Sequence, residues 1–388
     1  MRAGEDAVIR ELHMKNPGIQ TVSHRAEPIR ARVHWVRYHA QGARLLCMVA
    51  LTAVLTACGG GDGGGGQPPP LTGMVTTIAG TPGQAGSSDG SIAQARFNAP
   101  QGVAVTDAGV VYVADTGNHT IRRIGADGVV STLAGTAGAS GAVDGTGAAA
   151  RFTSPAHLVL GPDGSLYASD AGIVRKITQA GVVTTVQQVN SLLAIDANGN
   201  LYSYGPDASV MRTTPAGATS TVVAKPPVDS QMQQGFYFAF AIDGQGNFYT
   251  AERVVSPTGS LPKFGLVRKF NAQGVQAATA SVVFPTGLVV DNAGRPYAAC
   301  GGAVSNQFPS GTTTGCSAVL AFDGTFAAST LAGVDQALRS PPGYTEGTGS
   351  ADGPGATARF KFPAALAVSA AGIYVADTGN HTVRRIQP

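Results

Sequence analysis

Charge is scarce in this 388-residue chain, where Asp, Glu, Lys and Arg make up 13% of positions. Beyond residue 57 there are only two Glu, Glu252 and Glu346, and the single Trp, Trp35, lies before that point. Residues 58–388 hold 18 Lys/Arg against 19 Asp/Glu, a formal balance of −1, so the +3 of the whole chain comes from its first segment. Nucleic-acid binding needs a basic footprint, and none is visible. Neither His-x-His nor His-Glu-x-x-His occurs, which removes familiar spacings for a catalytic metal. No apolar run approaches the ~20 residues of a membrane-crossing helix. Glycine, by contrast, is abundant at 53 residues, roughly twice the usual ~7%. With 43% hydrophobic residues beside it, the composition predicts many tight turns between short buried strands.

The first 57 residues carry eight Lys/Arg and four Asp/Glu and close with RLLCMVALTAVLTA. The uncharged stretch Leu45 to Ala57 is 13 residues long and sits between Arg44 and a small-residue site, the pattern of a secretion signal. Its end, Leu55-Thr56-Ala57-Cys58, resembles the lipobox of bacterial lipoproteins. That resemblance implies acyl chains on Cys58, a membrane anchor through that lipid and, with Gly59 rather than Asp following, sorting to the outer membrane over the inner. An ordinary signal peptide with an incidental cysteine is the alternative. The lead-in before the signal is long for this class, which implies an over-long start, with translation beginning nearer Val33 or Val36, or at Met14. Residues 58–73, rich in Gly and then Pro, read as a tether, and the folded region as 74–388. Cys300 and Cys316 then remain, and in an oxidising compartment they are candidates for a disulfide; two free thiols are the alternative.

DTGNHTIRRI at Asp115 to Ile124 returns as DTGNHTVRRI at Asp377 to Ile386. Five steps of about 52 residues fit between the two. Each unit offers four short β-like segments in one order: PQGVAV from Pro100, VVYVAD ending at Asp115, TIRRI, and VVSTLAG from Val129 in the clearest copy. Six turns ending in Gly (TDAG, GPDG, DANG, DGQG, DNAG, SAAG) separate first and second segments, as tight hairpins require. Six four-stranded units predict an all-β fold, a six-bladed β-propeller. The region opens with a fourth-strand pattern, VTTIAG from Val75, and ends with a third-strand pattern, TVRRI. The N-terminal strand is therefore expected to complete the last blade and close the ring.

VADTGNHTIRRI resembles the NHL repeat, named for an Asn-His-Leu signature and found in six-bladed propellers. It departs at Thr120 and Thr382, which replace Leu. In such a propeller the connections between second and third strands and between fourth and first strands share one face, here called the top, and the irregular stretches of the chain fall there. Three of them repeat D-G-x4-A-R-F-x-x-P: Asp89 to Pro100, Asp144 to Pro155 and Asp352 to Pro363. Arg96, Arg151 and Arg359 could point at a shared anionic ligand, or each could bridge to nearby backbone while Phe97, Phe152 and Phe360 wedge between blades. One carboxylate per loop is far below the ~6–8 oxygens of calcium, so no metal or other cofactor is expected. A protein or a cell-envelope glycan or peptide on the top face is the expected partner. Some six-bladed propellers are lactonases or lyases, and by resemblance use acidic or His residues at the channel mouth. For that alternative the candidates are residues read as breaking the repeat, Glu252 and His157, with Asp170.

Overall fold

The computed structural model describes residues 73–388 apart from 189–191, 206–208, 225–232, 256–264, 283, 304–314 and 336–347, together with 20–25, 32–37 and 46–47. The chain divides into two units, Met1–Gly66 and Gln67–Pro388. In the first, Gln20–Arg25 pairs antiparallel with Arg32–Arg37, which also pairs with Leu46–Cys47. Cys58 and most of the tether lie outside the described residues, and no described helix is long and apolar enough to cross a membrane.

The second unit is a ring of six antiparallel sheets, each built on four strands in sequence order from the inside out. Blade 1 comprises Gly102–Val105, Val111–Asp115, Thr120–Ile124 and Val129–Gly135. Blades 2 to 5 follow, their inner strands beginning at Pro155, Leu192, Gln233 and Pro285. Blade 6 takes Pro363–Ser369, Gly372–Asp377 and Thr382–Gln387, then Met74–Ala79 as its outer strand, so the first propeller strand closes the ring. Second strands are buried on both faces because each blade is packed between two others. In Val111–Asp115 and Gly372–Asp377 every residue is buried. Such strands lose the in/out alternation and read as continuous apolar runs.

The core is correspondingly divided into packets between blades. Phe97 packs among Ala79, Ala367 and Val383 of blade 6 and Val103, Val113 and Val130 of blade 1. Phe152 does the same between blades 1 and 2, and Phe360 between blades 5 and 6. In every blade the pairing of third and fourth strands shifts register once: at Ile121/Arg122, Val174/Arg175, Val210/Met211, Val319/Leu320 and Val383/Arg384 in five of them, and two positions further on, at Lys269/Phe270, in blade 4. Such a bulge bends the outer strand and re-aims the side chain beside it.

Three sheets carry a fifth, two-residue strand on the outside. Gly90–Ser91, Gly145–Thr146 and Gly353–Pro354 pair with the outer strands of blades 1, 2 and 6. These are the repeated D-G loops, each running along the edge of its blade before crossing the top to the inner strand. Cys300 and Cys316, on the second and third strands of blade 5, are joined by a disulfide with Cα atoms 5.4 Å apart.

Candidate functional site

The top face is built on a buried ion pair. Asp115 ends the second strand of blade 1, and across the sheet Arg122 lies on the third, beside the bulge. Both side chains are essentially inaccessible, and Arg122 Nη1 donates to Asp115 Oδ2 at 2.9 Å. Two charges out of water are tolerated only when their remaining hydrogen-bonding capacity is filled. Arg122 fills that of its two Nη groups with the carbonyls of Arg96 and Ser88 and with Asp89 Oδ1, leaving Nε without a partner among the described residues, while its guanidinium lies 5.2 Å over the Phe97 ring. Asp115 fills it by accepting from the Asn98 N–H at 2.7 Å and from Asn118 Nδ2 at 2.7 Å.

Asp89 then reaches the outer strand, accepting from Thr132 N at 3.0 Å and Thr132 Oγ1 at 3.2 Å. The D-G loop Asp is therefore a clamp on its blade's edge. Blade 2 repeats the device with Asp170, Arg175, Asp144, Phe152 and Thr185. Blade 6 does so with Asp377, Arg384, Asp352, Phe360 and Thr77. In blade 6 the clamp has an added consequence. Asp352 holds Arg384 on the C-terminal strand and Thr77 on the N-terminal strand, and so stitches the seam of the ring.

The DTGNH segment ties one blade to the next. Thr116 Oγ1 donates to Pro155 O at 2.6 Å and His119 Nδ1 to Thr153 O at 2.8 Å, both in blade 2. Across the seam Thr378 Oγ1 donates to Pro100 O, and His381 Nδ1 accepts from the Ala99 N–H at 3.0 Å. Both His residues sit at left-handed backbone angles, φ 60° and 59°. The glycines serve close approach: a β-carbon on Gly117 would stand 2.7 Å from Asn98 O, and one on Gly379 2.7 Å from Lys361 O.

Burial shapes the titration of these groups. It pushes the Asp377 carboxyl up to about 6, against Asn380, the Lys361 N–H and Arg384, which pull it down. Burial raises Asp115 likewise, against Asn98, Asn118 and Arg122. His381 is held below its ordinary value by burial and by the Lys361 charge.

A family model for this unit matches part of the chain. Residues 97–124 match the NHL repeat. The matched segment runs from the wedge Phe97 through the buried pair to the end of the third strand. Human NHL repeat-containing protein 2 is 42% identical over 84 residues, 21% of this chain and 11% of that protein. Its chicken counterpart is 45% identical over 64 residues, 16% of this chain and 8% of that one. The matches thus span about a tenth of these relatives' length. Among solved structures, a protein of unknown function from Bacteroides thetaiotaomicron superposes with TM-score 0.56 at 15% identity, covering 95% of this chain and 90% of its own. An auxiliary nutrient binding protein from the same organism gives 0.54 at 14%, covering 81% and 76%. At these identities the likeness is one of fold.

Against the NHL repeat register, the candidate residues take definite places. Glu252 does not break the repeat: it lies within the second strand of blade 4, Phe248–Val255, at the position of Asp115, and pairs with Arg268 at 2.7 Å. Burial pushes its carboxyl up while Arg268 and Thr250 pull it down. Asp170 belongs to the blade 2 pair. These two carboxylates are on different blades and each holds its own Arg. His157 is on the inner strand of blade 2, where its N–H donates to Ser169 Oγ. Arg96 Nη1 donates to the carbonyls of Ala93, Gln94 and Ala95; Arg151 and Arg359 make the same kind of contact with Ala148 and Ala150, and with Ala356 and Ala358. Glu346 lies outside the described residues.

Two blades depart from the pair altogether. Blade 3 has Gly205 and Met211 at the Asp and Arg positions, and blade 5 has Cys300 and Leu320. The disulfide cysteine thus stands where other blades bury a carboxylate. Residues 86–90 read Gly-Ser-Ser-Asp-Gly, the letters of a nucleophile elbow, but no strand-to-helix turn is there. Ser88 lends its carbonyl to Arg122 and Asp89 is the clamp. Among the described residues no group of His, Cys, Asp and Glu could hold a metal ion.

Proposed function

We propose that this chain is a lipid-anchored envelope β-propeller that acts as a binding module, engaging a protein or a cell-envelope glycan or peptide through its top face. One observation carries the reading: the described acids, Arg122-type cations and DTGNH histidines of that face are spent on holding blades together. A general acid or base must be within reach of substrate and poised to exchange a proton. Carboxylates that each accept from a buried guanidinium and from backbone are instead scaffolding for the surface above them. The anchor rests on the Leu55–Cys58 resemblance and on the Gly/Pro tether that would separate a lipidated Cys58 from the propeller.

The test uses the full chain. Labelled fatty acid should enter the wild type and not Cys58→Ser. A photo-crosslinking residue at Gln101 or Phe362, on the top, should give a discrete adduct in envelope preparations, whereas one at Asp127, in a turn of the opposite face, should not. Equal adducts from both faces, or lactone turnover abolished by Glu252→Gln, would overturn the reading in favour of another surface or of catalysis.

A further inference from the structure

The bottom face carries a feature that neither the repeat nor the top-face reading uses. Between blades 4 and 5 lies a cavity of about 560 Å³, within the ~300–1,000 Å³ range of small-ligand sites. Its floor is the edge of a core cluster that holds Tyr249, Phe322 and Phe326, with ring centroids 5.1 Å apart for Phe322 and Phe326 and 6.4 Å for Tyr249 and Phe326; Phe326, 9% exposed, is the ring that reaches the space. Lys269, with Nζ 5.4 Å over the Tyr249 ring, and exposed Arg295 line it opposite Asp323.

Phe326 is the telling residue. The turns between third and fourth strands place Gly128, Gly181, Gly217 and Gly274 at φ 75°, 78°, 87° and 76°. The same turn in blade 5, closed by the Phe326 N–H to Asp323 O at 3.0 Å, puts Phe326 there at φ 64°. A bulky residue in the left-handed region is a genuine outlier, and glycine would serve the turn without strain. Strain of this kind clusters at ligand sites.

The polar fringe decides the ligand's chemistry. Asp323 Oδ1 accepts from Thr325 N, Thr325 Oγ1 and Ala327 N, and Oδ2 has no donor among the described residues. Lys269 and Arg295 make no ion pair among the described residues. Asp243 and Asp291 lie close to the Tyr249 hydroxyl, and Asp291 accepts from the Arg295 N–H. The two cations are therefore balanced by carboxylates, which disfavours a strongly charged ligand of either sign. Donors, an acceptor and an aromatic edge around a space of this size suit a neutral polyhydroxylated ring. We infer that the cleft between blades 4 and 5 on the bottom face is a binding site for a neutral sugar, resting on the exposed edge of Phe326 and hydrogen-bonded by Lys269, Arg295 and Asp323.

The experiment titrates the full chain with glucose, galactose, N-acetylglucosamine, maltose and cellobiose by calorimetry and saturation-transfer NMR, with glucuronate as the anionic counterpart. At least one neutral sugar should bind saturably, and more tightly than glucuronate. Phe326→Gly, which restores the residue the repeat prefers, and Arg295→Ala, at an exposed side chain, should each weaken it by about tenfold or more, the scale of one lost contact. Arg123→Ala, at the blade 1 position equivalent to Lys269, should leave it unchanged. Thermal unfolding of each variant verifies that it is folded. No saturable sugar, preference for glucuronate, or binding that survives both cleft variants would overturn the assignment. None of these outcomes bears on adducts formed from the top face.

Discussion

At the scale of single residues, the buried pair is the costliest feature to disturb. Removing Arg122 strands Asp115 in an apolar packet, a change that typically costs ~3–5 kcal/mol, whereas replacing both partners by apolar groups costs far less. The protein contains its own version of that replacement, Cys300 with Leu320 in blade 5. Arg122→Leu should therefore lower stability in a denaturant titration by about 3 kcal/mol or more, and Asp115→Cys together with Arg122→Leu by clearly less. Equal losses would show that the charge left behind is not the cause. His381 gives a pH dependence of known sign. Its folded value is depressed below 6.5, and the bond it accepts from Ala99 needs the neutral ring. That stability is fully present above the unfolded value and is lost as pH falls through the folded one. The raised Asp377 carboxyl acts the other way over the same range, so the His381 part is read as a difference: relative to His381→Asn, which tolerates the left-handed backbone, the wild type should lose melting temperature as pH falls from 7 to 5, and a constant difference would show that the Ala99 bond carries no pH dependence.

At the scale of elements, the closing strand and its clamp are the exposed point of the ring. Met74–Ala79 pairs with Thr382–Gln387 on one side and Gly353–Pro354 on the other, and Val75 is fully buried. Deleting 74–79 uncovers an edge and empties part of the core between blades 5 and 6, so the truncated chain should lose cooperative thermal unfolding. Asp352→Ala removes only the bonds to Thr77 and Arg384. About 1–3 kcal/mol is expected for a half-exposed acceptor serving a buried cation, and a chain melting as wild type would show that strand pairing alone closes the seam. The lower turns use a different device. Asp196, Asp243 and Asp291 each begin a turn, accept its backbone N–H groups and take a Tyr hydroxyl from Tyr202, Tyr249 or Tyr297.

For the whole molecule, these two devices divide the ring. Blades 6, 1 and 2 carry top-face clamps, and blades 3, 4 and 5 carry the Asp–Tyr turns. All six outer strands keep a Thr opposite the third-strand position that Arg122 takes in blade 1, namely Thr132, Thr185, Thr221, Thr279, Thr330 and Thr77. A clamp carboxylate binds the amide of Thr132, Thr185 and Thr77, and none among the described residues reaches the others. Hydrogen exchange should thus be about tenfold or more slower at the first three amides, since protection follows the free energy of local opening. Uniform exchange around the ring would sink the division. The half without clamps also holds the replaced pairs, the disulfide and the bottom-face cavity. The repeat has been relaxed on one side of the ring.

The sequence by itself determined the architecture. Strand length, glycine-ended turns and the return of DTGNH are local patterns, and six copies with complementary ends leave a closed ring as the solution that hides every edge. It also contained the signal for Glu252, which falls at the same step of a second strand as Asp115, Asp170 and Asp377, yet the letter differed and the position was read as an exception. Only tertiary structure decided what the side chains do. Asp89 lies 43 positions before Thr132 and Asp352 lies 275 beyond Thr77, and such bonds exist because blade register and the crossing of the top bring them together. The same holds for the bottom cavity. A Phe in place of a turn glycine is visible in the sequence, but the space it lines depends on how two neighbouring blades pack, which no local pattern encodes.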